Sequence, residues 1–139
     1  MKNLDNTSKI LFMSTFPPTT CGIATYTTDT MQSIQRKFGK SFECEELEIV
    51  KAQKPGFSYH FNPQEKQEYI RIAEDINRNP EIRLIHIQHE FGLFGGAYGS
   101  YLFEFLKKTD KPVVMTFHTV LPRPDPELKS VVQKLAEYS

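Results

Sequence analysis

Residues 15–28 read TFPPTTCGIATYTT, and this stretch decides how the rest of the chain is arranged. It follows a short apolar run, Ile10 to Met13, of the kind a buried strand requires. Pro17 and Pro18 fix φ and lack an amide hydrogen, so neither helix nor sheet pairing continues through them. Thr19, Thr20 and Gly22 make a polar turn, and a helical pattern starts at about Ile23. A strand, a glycine-bearing turn and a helix N-terminus together suit an anion. The first helical amides lack internal partners, and the helix dipole favours negative charge there. Gly22 has no Cβ to hold a ligand away. The same residues also suit a plain strand-to-helix turn, since the stretch holds neither a G-x-G-x-x-G run nor a P-loop lysine.

Outward from this turn, strand and helix patterns alternate. Residues 9–15 form the first strand. The helix after the turn buries Ile23, Thr27, Met31, Ile34 and Phe38 as one face, and Gly39 stops it. A second strand spans 42–50, where Glu43, Glu45, Glu46 and Glu48 suggest an outer position with one wet face. A loop over 51–56 and a short strand over 57–61 follow. Asn62 and Pro63 read as the cap and first turn of a helix that runs to about Asn77 and buries Tyr69, Ile72, Ala73 and Ile76. Residues 82–88 are a strand and 89–96 a glycine-rich loop. A helix then buries Tyr98, Tyr101, Leu102, Phe105 and Leu106. The apolar run VVMTF, 113–117, reads as a strand covered on both faces. After the proline-rich loop 118–126, a last helix buries Leu128, Val131, Val132 and Leu135. This order implies an α/β fold, a Rossmann-like parallel sheet with helices on both faces and right-handed crossovers. In such sheets ligands bind beyond the carboxyl ends of the strands. Three loops leave those ends, 16–22, 89–96 and 118–125, and they hold most of the polar and glycine irregularities.

The bulk properties narrow the classes. With 139 residues the chain has length for one domain and a core. Apolar residues make up 39%, which marks a globular chain rather than a disordered one. Lys plus Arg and Asp plus Glu number 17 each, so charge gives no argument for nucleic acid or an anionic membrane. Cys21 and Cys44 follow no metal or redox spacing, and reduced thiols in the cytoplasm are expected. The first apolar run is too short for a signal peptide or a membrane span.

Each loop offers candidate chemistry. Glu90 suits a hydroxyl-rich ligand or a base, and equally a solvated loop carboxylate. Gly92, Gly95 and Gly96 allow close approach to a helix start. His86 and His89 invite a metal, but strand alternation sends their rings to opposite faces and no cysteine lies nearby in sequence. His118 ends an apolar strand, where an imidazole has little structural reason to stand. It can bond a sugar hydroxyl or a phosphate, or cap the strand end, and Thr119 can support it. Cys21 beside Gly22 is a weaker nucleophile candidate at a helix start, where a thiol pKa falls.

Three motifs, FPPTTCGIATYT, IQHEFGLFGG and VVMTFHTVLPRP, occur in this order at the three strand ends. Together they resemble the N-terminal domain of the family 4 retaining glycosyltransferases, which have the GT-B fold. The likeness spans about residues 10–137. It implies hexosyl transfer from a nucleotide-diphosphate sugar to an acceptor hydroxyl with retained configuration, without an essential metal. By motif, Gly22 and Ile23 would lie against the donor diphosphate. His118 would contact the transferred sugar or its departing phosphate as the catalytic residue. Glu90, Gly95, Gly96 and Thr119 would line the acceptor side. The donor would be held by a C-terminal domain with a Glu-x7-Glu element, which does not occur in these 139 residues. The resemblance therefore implies a partial N-terminal domain, inactive alone, whose partners are the donor domain, a nucleotide sugar and a carbohydrate or lipid-linked acceptor. It implies a role in carbohydrate biosynthesis, in the cytoplasm or peripherally at the inner membrane surface. Missing strands would expose a sheet edge and promote self-association. The alternatives are a stand-alone nucleotide or sugar-phosphate binding module and, less well, a flavodoxin-like regulatory domain, whose acidic pocket is absent where Ser14 and Thr15 stand.

Overall fold

Apolar runs separated by helical patterns produce β1 (Ser8–Ser14), α1 (Gly22–Phe38), β2 (Phe42–Ile49), β3 (Tyr59–Phe61) and α2 (Lys66–Asn77). They are followed by β4 (Ile82–His89), α3 (Leu102–Lys108), β5 (Val113–Phe117) and α4 (Pro126–Glu137). This computed structural model describes residues 7–50 and 59–139. The loop expected over 51–56 and the start of the short strand expected at 57 lie outside the described residues.

The strands form one five-stranded sheet in the order β3-β2-β1-β4-β5, and every pairing is parallel. The architecture is α/β and Rossmann-like, with helices on both faces. Side-chain alternation divides the sheet. Leu11, Met13, Leu47, Ile85 and Ile87 point to one face and pack with Tyr69, Ile76, Leu102, Phe105 and Leu135 of α2, α3 and α4. The opposite face carries Phe12, Ser14, Glu48 and His86, and α1 lies over part of it, where Ser14 Oγ meets Thr27 Oγ1 at 2.8 Å. Helix α1 is rich in hydroxyl residues, which usually weaken a helix. Here Thr25, Thr27, Thr28, Thr30 and Ser33 each donate to the carbonyl four residues back.

Five local expectations change. The 42–49 strand does not have a simple wet face. Glu48 is buried and Glu46 half-buried; burial, then the neighbouring Glu48, pushes the Glu46 carboxyl above its usual range. Helix α2 starts three residues after Pro63, because Asn62 and Pro63 form a turn instead. Asn62 Oδ1 accepts from Gln64 N–H at 3.0 Å, and the Pro63 carbonyl is drawn sideways to Tyr69 Oη at 2.8 Å. Tyr98 is not helix core. Gly96 and Gly99 take positive φ, 80° and 79°, and Tyr98 itself has φ 52°, so a 3-10 turn stands where a helix was expected. Its hydroxyl donates to Asp125, the N-cap of α4, at 3.0 Å.

The fourth change concerns β5. It is the sheet edge, not a covered strand, and Val114 is 43% exposed. Phe38 and Tyr26 of α1 are exposed at 45% and 48%, so Phe38 does not join the core either. One face of the sheet thus has α1 over β1 and β2, and no helix among the described residues over β4 and β5.

The core face is pinned to the glycine loop by one phenol. Tyr69 Oη donates to the Pro63 carbonyl and accepts from Gly95 N–H at 3.1 Å, and burial pushes its pKa up to about 12. A Cβ on Gly95 would meet the Pro63 carbonyl oxygen at 2.3 Å and the Tyr101 ring at 2.7 Å. Replacing Gly95 by Ala should therefore lower unfolding stability by about 1–3 kcal/mol, as overpacking does. Tyr69→Phe, which loses one hydroxyl, should cost about 1 kcal/mol. Urea unfolding midpoints measure both, and a Gly95→Ala midpoint equal to wild type would refute the packing account.

Candidate functional site

Parallel strands that end at the same level bring their following loops together. The C-terminal ends of β1, β4 and β5 lie side by side, and the backbone closes the last gap: His118 N–H donates to the His89 carbonyl at 2.9 Å. The His118 ring follows β5 and turns to the α1 side. Its Nε2 bonds Gln88 Oε1 at 2.7 Å. The Tyr26 ring of α1 meets it edge-on, centroids 5.0 Å apart. His118, Gln88 and the first turns of α1 therefore form one constellation.

Gly22 is the first residue of α1 and is exposed, with no atom within 4 Å of where a Cβ would stand. The approach to it and to Ile23 is open. Cys21 caps the helix: its Sγ accepts from Ala24 N–H at 3.4 Å and lies 3.2 Å from Thr15 Oγ1. Partial burial raises the thiol pKa, but these hydrogen bonds and the Ile23 amide outweigh it and hold the group below the usual thiol range.

Glu90 and Thr119 were expected to meet an acceptor, and they meet each other. Glu90 Oε2 accepts from Thr119 Oγ1 at 2.5 Å, and its Oε1 caps the 3-10 turn Phe91–Leu93 by accepting from Phe91 N–H at 2.8 Å. The carboxylate is a clamp between the two loops. Gly95 is buried with its amide spent on Pro63 and Tyr69, so its lack of a side chain serves packing. Gly96 is exposed, and its positive φ is the turn's requirement for glycine.

His86 and His89 do face opposite ways. His86 packs on Phe12 and bonds Thr116 Oγ1 at 2.8 Å; burial, then His118, lowers its pKa. His89 is wholly buried among the rings of Phe91, Phe94 and Phe117, and neither ring nitrogen has a hydrogen-bond partner among the described residues. No cluster of three metal-ligating side chains occurs among the described residues.

Gln88, Tyr26 and the Glu90–Thr119 clamp were not singled out in the sequence. The signal for Gln88 was present: a polar residue inside IRLIHIQH, a strand otherwise built to be buried. No helix among the described residues is long and apolar enough to cross a membrane. Compared with known proteins, the chain matches no family model, no curated protein and no solved structure.

Burial holds the His89 pKa at about 4, with Glu90 raising it and His118 lowering it to a lesser degree. The unfolded ring titrates near its ordinary value of 6.5. Between these values the unfolded chain binds a proton that the folded chain refuses. Stability is therefore complete above pH 6.5 and falls as the pH drops toward 4, by about 3 kcal/mol from this ring. Urea midpoints at about pH 7 and about pH 4.5 test this: His89→Phe should lose less stability than wild type over the interval. Equal losses would remove His89 as the cause.

Proposed function

We propose that the chain is the N-terminal, acceptor-side part of a GT-B retaining glycosyltransferase that moves a hexose from a nucleotide-diphosphate donor to an acceptor hydroxyl. One observation carries the reading. The open start of α1 at Gly22 and the His118 ring share one end of a parallel sheet, with Tyr26 joining them. An anion can approach the open Gly22 end of α1 and its dipole on one side of this constellation, next to the Cys21 thiol that already takes the Ala24 amide, and a sugar has an imidazole on the other. The ordered triple of motifs supplies the family; the geometry supports it by bringing the three motif loops together.

The uncovered half of the sheet also supports a partial domain. Parallel sheets are normally covered on both faces. Val114 of β5 and Tyr26, which meets His118, are exposed beside the half of the sheet that α1 leaves bare. The donor half, with its Glu-x7-Glu element, would close the cleft over the three loops, and catalysis would need both halves.

Within this reading Glu90 and Thr119 act by holding the second and third loops in register, and His118 and the α1 start touch substrate. Two variants separate the parts. In the full reading frame that carries this chain, His118→Ala should reduce kcat by about 10²-fold or more with a smaller change in KM. Gly22→Ala should leave the unfolding midpoint unchanged or slightly raised, since nothing crowds that position and alanine favours a helix. It should still raise the donor KM severalfold. Transfer of labelled hexose from a panel of nucleotide sugars reads both. Wild-type transfer rates retained by His118→Ala would reject the assignment.

A further inference from the structure

Gln88 is wholly buried at the C-terminal end of β4, in register with Thr116 of β5. Its Oε1 is the atom that meets His118 Nε2, at 2.7 Å, and its Nε2 has no hydrogen-bond partner among the described residues. An amide oxygen only accepts. The imidazole must therefore place its proton on Nε2, and a neutral ring then carries a lone pair on Nδ1. Nothing in the protein bonds Nδ1 among the described residues, and His118 is half-exposed. The backbone that carries the ring is fixed, since His118 N–H is tied to the His89 carbonyl, and the Tyr26 ring packs edge-on against the imidazole. Thr116, the nearest hydroxyl in register, is taken by His86 at 2.8 Å and does not compete for Gln88.

We propose that Gln88 is a positioning residue that locks neutral His118 as the Nε2–H tautomer, so that the ring offers Nδ1 as an acceptor. The group it meets must then donate a hydrogen bond. A sugar hydroxyl does so; a fully ionised phosphate oxygen does not. The tautomer lock stands on the geometry alone. Its consequence for a ligand rests on the transferase reading and chooses, within that reading, the hydroxyl side of the donor over its phosphate side.

The test is nitrogen–carbon correlation NMR on histidine-labelled chain at about pH 8, where imidazoles are neutral. Wild-type His118 should show the Nε2–H form in clear excess over the mixture of free histidine. Gln88→Leu should relax it to that mixture, and Gln88→Glu, which keeps an acceptor oxygen, should retain it. An Nδ1–H form in the wild type, or the same tautomer in Gln88→Leu, overturns the proposal. The wild-type spectrum decides even if a variant fails to fold. In the transfer assay on the full reading frame, Gln88→Leu should lower kcat at least tenfold with little change in KM, and Gln88→Glu should recover part of it. Locked tautomer without hexose transfer in any donor panel would sink the transferase reading and leave the lock. Transfer with an unlocked ring would do the reverse.

Discussion

The register of β4 against β5 is the constraint on which the rest depends. It runs from Ile85 opposite Val113 to His89 opposite Phe117, and the His118 N–H to His89 carbonyl bond closes it. Because side chains alternate, this register sends Gln88 to the α1 face and His89 to the core face. A slip of one residue would exchange them. Gln88 would leave His118, and His89 would leave its cage of phenylalanines for the side of the sheet where α1 lies. The Glu90–Thr119 bond lies one step beyond the closure and holds the two outgoing loops at the same height. The glycine loop is fixed from the other side through Tyr69 and Pro63. The candidate site is therefore assembled by the core, not by the loops that display it.

Much of this was legible in the sequence, for a physical reason. Strands β1 and β4 and helix α2 show their periods directly, because their neighbours are known elements of the same chain. The turn before Gly22 was legible because two prolines admit few conformations. What failed was whatever depends on a distant partner. The run VVMTF reads as doubly buried, but its position at the sheet edge is a fact of strand order. Phe38 completes an apolar helical stripe, yet it stays 45% exposed and outside the core. Asn62-Pro63 carries a helix-start pattern, but the Pro63 carbonyl is worth more bonded to a buried phenol and to the Gly95 amide than as part of a first turn.

The candidate site was legible in outline. Its loops, Gly22 and His118 follow from strand ends and residue chemistry. Glu90 and Thr119 were drawn to the same place, but their mutual bond cannot be inferred from positions 29 residues apart in the sequence. Gln88 looks like one more strand residue until the register puts its amide against the His118 ring. Polar residues inside buried strands need a partner, and that rule, applied to Gln88 in IRLIHIQH, points to the residue that the His118 ring meets; His89 breaks the rule, with both ring nitrogens unpaired among the described residues.

The most direct measurement is to read the coding sequence past Ser139. The account predicts an open frame that continues with further alternating strands and helices, then a second Rossmann-like pattern carrying a Glu-x7-Glu element. A frame that closes at or shortly after Ser139 would contradict the transferase reading and leave a binding module whose ligand direct titration would have to find.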